Sequence, residues 1–209
     1  SCLLAGHIVA AVERENIIGG AIACHGDWIS ENPKYGVVAC LAVNYLTRHN
    51  IPFACTGDDC TAVALCLAIA LGGTAQYFEM DPPNPQLNAV MLSSGGEGDL
   101  RLASSCPAPK LCHNHFFDGH FGHGIAHDFI LAPGPATLIN FTPIGDNFKI
   151  IAAEGEVLEE QPPALGMPRT LFRFAGPVRD AFDAWCEAGA NHHLALTMGH
   201  HGLASKTFS

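Results

Sequence analysis

Apolar positions in the first eighty residues switch between two spacings. Ile8, Val9 and Val12 recur at helical intervals and predict an amphipathic helix over Ala5–Glu15, followed by a short apolar strand over Ile17–Cys24. A second helix is expected over Val37–His49, closed by a His and an Asn before Pro52, then a buried strand over Ile51–Cys55. Asp58–Leu71 reads as a third helix, stopped by Gly72-Gly73, and Thr74–Phe78 as another strand. Helices of this length alternating with short apolar strands imply β-α-β crossovers and a parallel sheet. In such sheets ligands gather beyond the carboxyl ends of the strands.

The pattern changes near residue 82, where Asp81-Pro82-Pro83-Asn84-Pro85 is expected to end the alternation. Beyond it, Asn88–Leu92, Ala136–Phe141, Phe148–Ala153 and Thr170–Phe174 are short strand-like runs separated by Gly, Pro and Asn. They suggest a mostly antiparallel barrel or sandwich. Only Val178–Glu187 returns to helical spacing, and Ser93–Pro109 reads as a long loop of the kind that more often carries function than merely connects.

Composition narrows the function classes. The 209 residues are 48% hydrophobic and 14% charged, enough apolar material for a real core. A formal charge of -10 disfavours nucleic acid and anionic membrane as partners. The apolar stretch around Cys60–Leu71 is too short to span a bilayer and no basic-then-apolar leader opens the chain, so a soluble protein is expected. Nine cysteines without any C-x-x-C pair read as buried free thiols in a reducing cytoplasm.

Three groups of residues are candidates for chemistry. Asp58 and Asp59 follow one predicted strand, and Glu79 and Asp81 another, so the sheet logic brings four carboxylates to one crevice; Asp58 and Asp59 equally suit a helix cap. Five histidines, His113, His115, His120, His123 and His127, crowd a glycine-rich and phenylalanine-rich segment without helix or strand period. They fit a loop that contacts a substrate or a neighbouring subunit. The third group is Gly189-Ala190-Asn191-His192-His193 with Gly199-His200-His201-Gly202, whose imidazoles, joined to carboxylates, form a set suited to Mn²⁺ or a similar ion. Trp28, in a polar segment after a strand end, offers a ring face for a sugar, whereas Trp185 at helical spacing with Phe182 reads as core.

Thr56-Gly57-Asp58-Asp59-Cys60-Thr61-Ala62, Gly72-Gly73-Thr74-Ala75-Gln76-Tyr77-Phe78-Glu79, Pro133-Gly134-Pro135-Ala136-Thr137-Leu138, Ala153-Glu154-Gly155-Glu156-Val157-Leu158 and Gly189-Ala190-Asn191-His192 with Gly199-His200 occur in this order. Together they resemble the C-terminal half of the L-fucose isomerase and L-arabinose isomerase superfamily over nearly the whole chain. The resemblance implies an α/β fold in which residues 1–81 are the end of a Rossmann-like parallel-sheet domain and residues 82–209 a mostly antiparallel, β-barrel-like C-terminal domain. Members of that superfamily are longer, so the chain is expected to be part of such an enzyme.

The implied activity is aldose-ketose isomerisation of an open-chain pentose or deoxyhexose. A divalent metal, usually Mn²⁺, binds the sugar oxygens while acidic residues move a proton through an ene-diol. Carried onto this chain, His192 is a metal ligand, with Glu79 and Asp81 the acidic ligands; Asp58 and Asp81 are the catalytic carboxylates, and Trp28, His120 and His123 contact the sugar. A homo-oligomer with sites at subunit boundaries is also implied. Two departures stand out. Thr56 occupies the place of the superfamily's metal-binding, proton-shuttling Glu, and Ser93 or Ser94 the place of a further His. A hydroxyl is neither a carboxylate base nor a strong metal ligand. The alternative is therefore a carbohydrate-binding or regulatory relative that keeps the fold without turnover.

Overall fold

The computed structural model describes residues 2–24, 29–34, 36–113, 124–160 and 162–202. Helices α1 (Cys2–Glu15) and α2 (Cys40–Arg48) pack through Val12, Val43 and Leu46 onto Phe53. Between and after them, β1 (Gly20–Ala21) and β2 (Phe53–Ala54) pair in parallel, Gly20 opposite Phe53. The parallel sheet expected from the sequence is thus reduced to two strands of two residues each. Its ladder stops because the Cys24 amide folds back onto Ile22 O at 3.0 Å and because Pro52 contributes a carbonyl but no N–H. Helix α3 (Asp59–Gly72) follows, capped by Asp58 at its start and by Gly73 in the left-handed conformation, φ 73°, at its end.

The remainder is built around a closed, six-stranded antiparallel barrel. Its strands are β3 (Gln76–Asn84), β4 (Ala89–Ser93), β7 (Gly134–Ile144), β8 (Asn147–Val157), β9 (Arg169–Phe174) and β10 (His193–Met198). They follow one another around the barrel as β10, β3, β4, β9, β8, β7, and β7 closes onto β10. A separate two-stranded antiparallel sheet pairs β5 (Lys110–His113) with β6 (Ile125–Asp128). Helix α4 (Val178–Glu187) links β9 to β10.

The prolines after Asp81 do not end the alternation as the sequence suggests. Strand β3 runs through Pro82 and Pro83, and the register against β4 shifts between Met80 and Pro83. A bulge tolerates residues that lack an N–H, so the strand bends where a regular ladder would break. The segment Thr74–Phe78, expected in a parallel sheet, instead leads into a barrel strand that starts at Gln76 and pairs antiparallel with β10. Strand β10 has no counterpart in the sequence reading, although Leu194, Leu196 and Met198 alternate with His193, Ala195 and Thr197.

Alternation along the strands sorts residues between two cores. Phe78, Leu92, Leu138, Phe172, Leu194 and Leu196 fill the barrel interior, together with Trp185 of α4. Tyr77, Ile139 and Ala195 face outward and meet Ala62, Leu65 and Ala68 of α3. Helix and barrel lie very close: a Cβ on Gly72 would stand 2.1 Å from Thr197 Oγ1 and 3.2 Å from Met198 O. Gly72→Ala should therefore destabilise the protein by roughly 1–3 kcal/mol through overpacking. Urea unfolding of the two proteins measures this, and an unchanged midpoint would show that α3 has room to move off the barrel.

Candidate metal centre

The antiparallel register of β10 on β3 sets His193 directly opposite Glu79. Both lie on the outward face that carries Tyr77 and Ala195, next to the start of α3. His192 precedes β10 in the turn from α4, and three groups shape that turn. Gly189 adopts φ 90°, Trp185 donates its indole N–H to Asn191 O at 3.4 Å, and Asn191 Oδ1 accepts the His193 amide at 2.8 Å. The rings of His192 and His193 then meet at a tilt of 53°, 4.2 Å between centroids.

One ligand atom each from Glu79, His192 and His193 falls within 4.8 Å of the others, with Glu79 and His193 half-buried and His192 exposed. Among the described residues this is the one such grouping of three. A carboxylate and two imidazoles form a donor set that suits Mn²⁺, Co²⁺ or Zn²⁺.

Behind these ligands stands a layer of orienting groups. His193 Nδ1 lies 2.8 Å from Asp58 Oδ2. A carboxylate acceptor there places the ring proton on Nδ1 and leaves Nε2 with its lone pair. Asp58 also accepts the Thr61 amide at 2.9 Å and the Thr61 hydroxyl at 2.8 Å. Partial burial raises the pKa of this carboxyl, but the Thr61 amide and the His193 ring outweigh it and hold it below the ordinary carboxylate range. Tyr77 donates to Glu79 Oε1 at 3.3 Å, and burial pushes its phenol far up, so it remains a donor.

The sequence candidates separate accordingly. Glu79 and His192 are brought together. Asp58 reaches the group through His193, in the helix-capping position that was one of its two expected roles. Asp81 stands beside the group and outside the three-ligand set: it accepts from Ser93 at 3.5 Å, and burial, then the charge of Glu79, raises its pKa. Asp59 lies in the first turn of α3. Trp28, His120 and His123 lie outside the described residues. Of the loop histidines, His127 is part of β6, where its Nδ1 pairs with Asn44 Nδ2 at 2.6 Å. His193 enters the sequence reading only as a member of the third imidazole group, without a ligand role of its own, and Tyr77 enters it with no role. The period-two alternation of Tyr77 with Glu79, and of His193 with Ala195, is the signal that finds them.

The start of the expected loop at Ser93–Pro109 is tightly held. Gln76 donates to Glu97 O at 3.1 Å and accepts the Asp99 amide at 2.8 Å, while Asn44 accepts the Gly98 amide at 2.5 Å. The Glu97 side chain is 1% exposed, and its Oε1 has no hydrogen-bond partner among the described residues.

A barrel strand pair and the turn before it, bringing a carboxylate and two imidazoles together beside a capped helix, define an α/β protein with a candidate metal site on the outside of its barrel. The chain belongs to the L-arabinose isomerase C-terminal domain family, whose profile matches residues 81–209. It is also 35% identical over 71 residues to the L-arabinose isomerase of Nocardioides sp. (strain ATCC BAA-499 / JS614). That stretch is 33% of this chain and 14% of the relative's length. The resemblance seen in the sequence is thereby established, and with it membership of a sugar-isomerase family. Among the described residues no helix is long and apolar enough to cross a membrane.

Burial, followed by the negative potential of Cys24 and Glu79, raises the Glu97 carboxyl from 4.5 to about 8. An acid held protonated by folding makes the folded state bind more protons than the unfolded one over that interval. Stability should therefore fall as pH climbs from about 4.5 to about 8, and Glu97→Gln should flatten the slope. Denaturant midpoints across this range test it, and parallel slopes for the two proteins would count against a neutral Glu97.

Proposed function

We propose that the chain is the barrel-bearing part of a metal-dependent aldose-ketose isomerase acting on an open-chain pentose or deoxyhexose. The observation that carries this reading is the convergence of Glu79, His192 and His193, from strands and a turn far apart in sequence, beside a carboxyl that orients one imidazole. Family membership supports the reaction class. When bound, a divalent ion of the Mn²⁺ type would polarise the sugar carbonyl and lower the energy of charge developing on its oxygen.

The chain's own residues take distinct tasks in this reading. Glu79, His192 and His193 hold the ion, and Asp58 positions His193 by accepting its Nδ1–H. With three hydrogen bonds and a lowered pKa, Asp58 is a weak base, so positioning is the task its geometry favours. Asp81, raised by burial and by Glu79, is the carboxyl better suited to take a proton from the sugar and return it to the adjacent carbon. Contacts of Trp28, His120 and His123 with the sugar, a homo-oligomer with sites at subunit boundaries, and a cytoplasmic location belong to the same proposal.

Thr56 is the weak point of the set. Its hydroxyl donates to Cys55 O at 2.7 Å and stands next to Tyr77, the donor to Glu79. An acid at position 56 would thus stand within one side chain of the ligands. Calorimetric titration with Mn²⁺ is expected to show one site, weakened at least tenfold in His192→Ala and in Glu79→Gln and left intact in His120→Ala. Equal binding by all four proteins would end the proposal. Thr56→Glu should raise ketose formation from a pentose or deoxyhexose; a silent variant that still binds the ion would favour the carbohydrate-binding relative.

A further inference from the structure

Cys24 and Cys55 stand at the carboxyl ends of the two parallel strands, on the side of α3 that carries Asp58. One ladder step continues past β1, the Ile22 amide donating to Ala54 O at 2.9 Å, and the chain then folds back at Cys24. On the other side, Cys55 leads into two left-handed residues, Thr56 at φ 59° and Gly57 at φ 75°. A Cβ on Gly57 would lie 3.0 Å from the Ala23 Cβ, so the segments bearing the two cysteines touch. Their thiols hydrogen-bond to each other within one apolar cluster, at 2% and 6% exposure. The bond polarises the pair. The contact with Cys55 holds the Cys24 thiol below its ordinary value against the opposing effect of burial, while the same contact and burial push Cys55 up.

We propose that Cys24 and Cys55 are a modification site at which hydrogen peroxide forms a reversible intramolecular disulfide at the base of the turn carrying Asp58. The Cys24 thiolate attacks one peroxide oxygen, the O–O bond breaks, and the departing hydroxide takes a proton to leave as water. The resulting Cys24 sulfenic acid is then attacked by Cys55 Sγ, which gives up its proton as the S–O bond breaks and a second water leaves. Two thiols lose two electrons to one peroxide, and a small dithiol reductant reverses the change. The partners are already in contact, so no rearrangement of secondary structure is needed. Peroxide is small enough to reach a site that larger disulfide oxidants cannot. Cys55 lies three residues before Asp58 in sequence, so the link ties down the turn that leads to the cap of α3 and the partner of His193.

The test is peroxide titration of the reduced chain, followed by alkylation in denaturant and peptide mapping by mass spectrometry. The expected product joins the Cys24 and Cys55 peptides, disappears with dithiothreitol, and is absent from Cys24→Ser and Cys55→Ser. Amide exchange over residues 56–61 should slow in the oxidised protein. Both thiols still open to alkylation in the unsubstituted protein, after peroxide has consumed the exposed Cys2, Cys106 and Cys186, would overturn the proposal. So would capture of Cys55 by another cysteine in Cys24→Ser at the yield of the native pair. Mapping on the unsubstituted chain needs no variant to fold.

Discussion

Leu194 and Leu196 face the barrel interior while His193 and Ala195 face α3, and this alternation, set by the antiparallel register of β10 on β3, decides where every group of the candidate centre stands. A slip of one residue would send His193 into the apolar interior and bring Leu194 to the surface of the site. The register is protected by that penalty. Burying an imidazole among Phe78, Leu138 and Phe172 without a partner is far more costly than leaving it opposite Glu79. The same packing that closes the barrel therefore aligns the ligands, and no separate device is required.

Asp58 connects this strand pair to the α/β segment. Its carboxylate caps the start of α3 and at the same time bonds one ring nitrogen of His193, so a helix cap and an orienting contact share one side chain. The close approach at Gly72 holds the far end of the same helix on β10. Helix and strand are thus anchored to each other at both ends, and the position of the Asp58 carboxylate relative to β10 is determined by packing along the intervening length of α3.

Much of this was readable in the residues. The four strands expected after residue 82 correspond to β4, β7, β8 and β9, because their apolar runs are bounded by Gly, Pro and Asn turns. Helix α3 was marked at both ends, by an acidic cap and paired glycines. What the residues concealed was long-range. Nothing local in Gln76–Asn84 says that its partner is β10 rather than β2, and prolines normally end a strand, so the bulge that accommodates Pro82 and Pro83 was invisible. Glu79 and His192 stood out by residue type and family resemblance. The Asp58–His193 contact did not, since an N-cap side chain has a sufficient local explanation without a histidine 135 residues away.

The order in which the barrel strands follow one another along the chain has a temporal consequence. Strand β10, which fills the gap between β3 and β7, is the last of the six to be synthesised, and its pairing with β3 spans most of the domain. Topologies dominated by such distant pairings fold slowly. Until β10 docks, the cylinder stays open along two strands and the imidazoles are absent from Glu79. A nascent chain therefore assembles its candidate ligand group in the same event that seals its interior, so the juxtaposition of Glu79 with the two imidazoles reports on completed folding and not on any earlier, half-formed state.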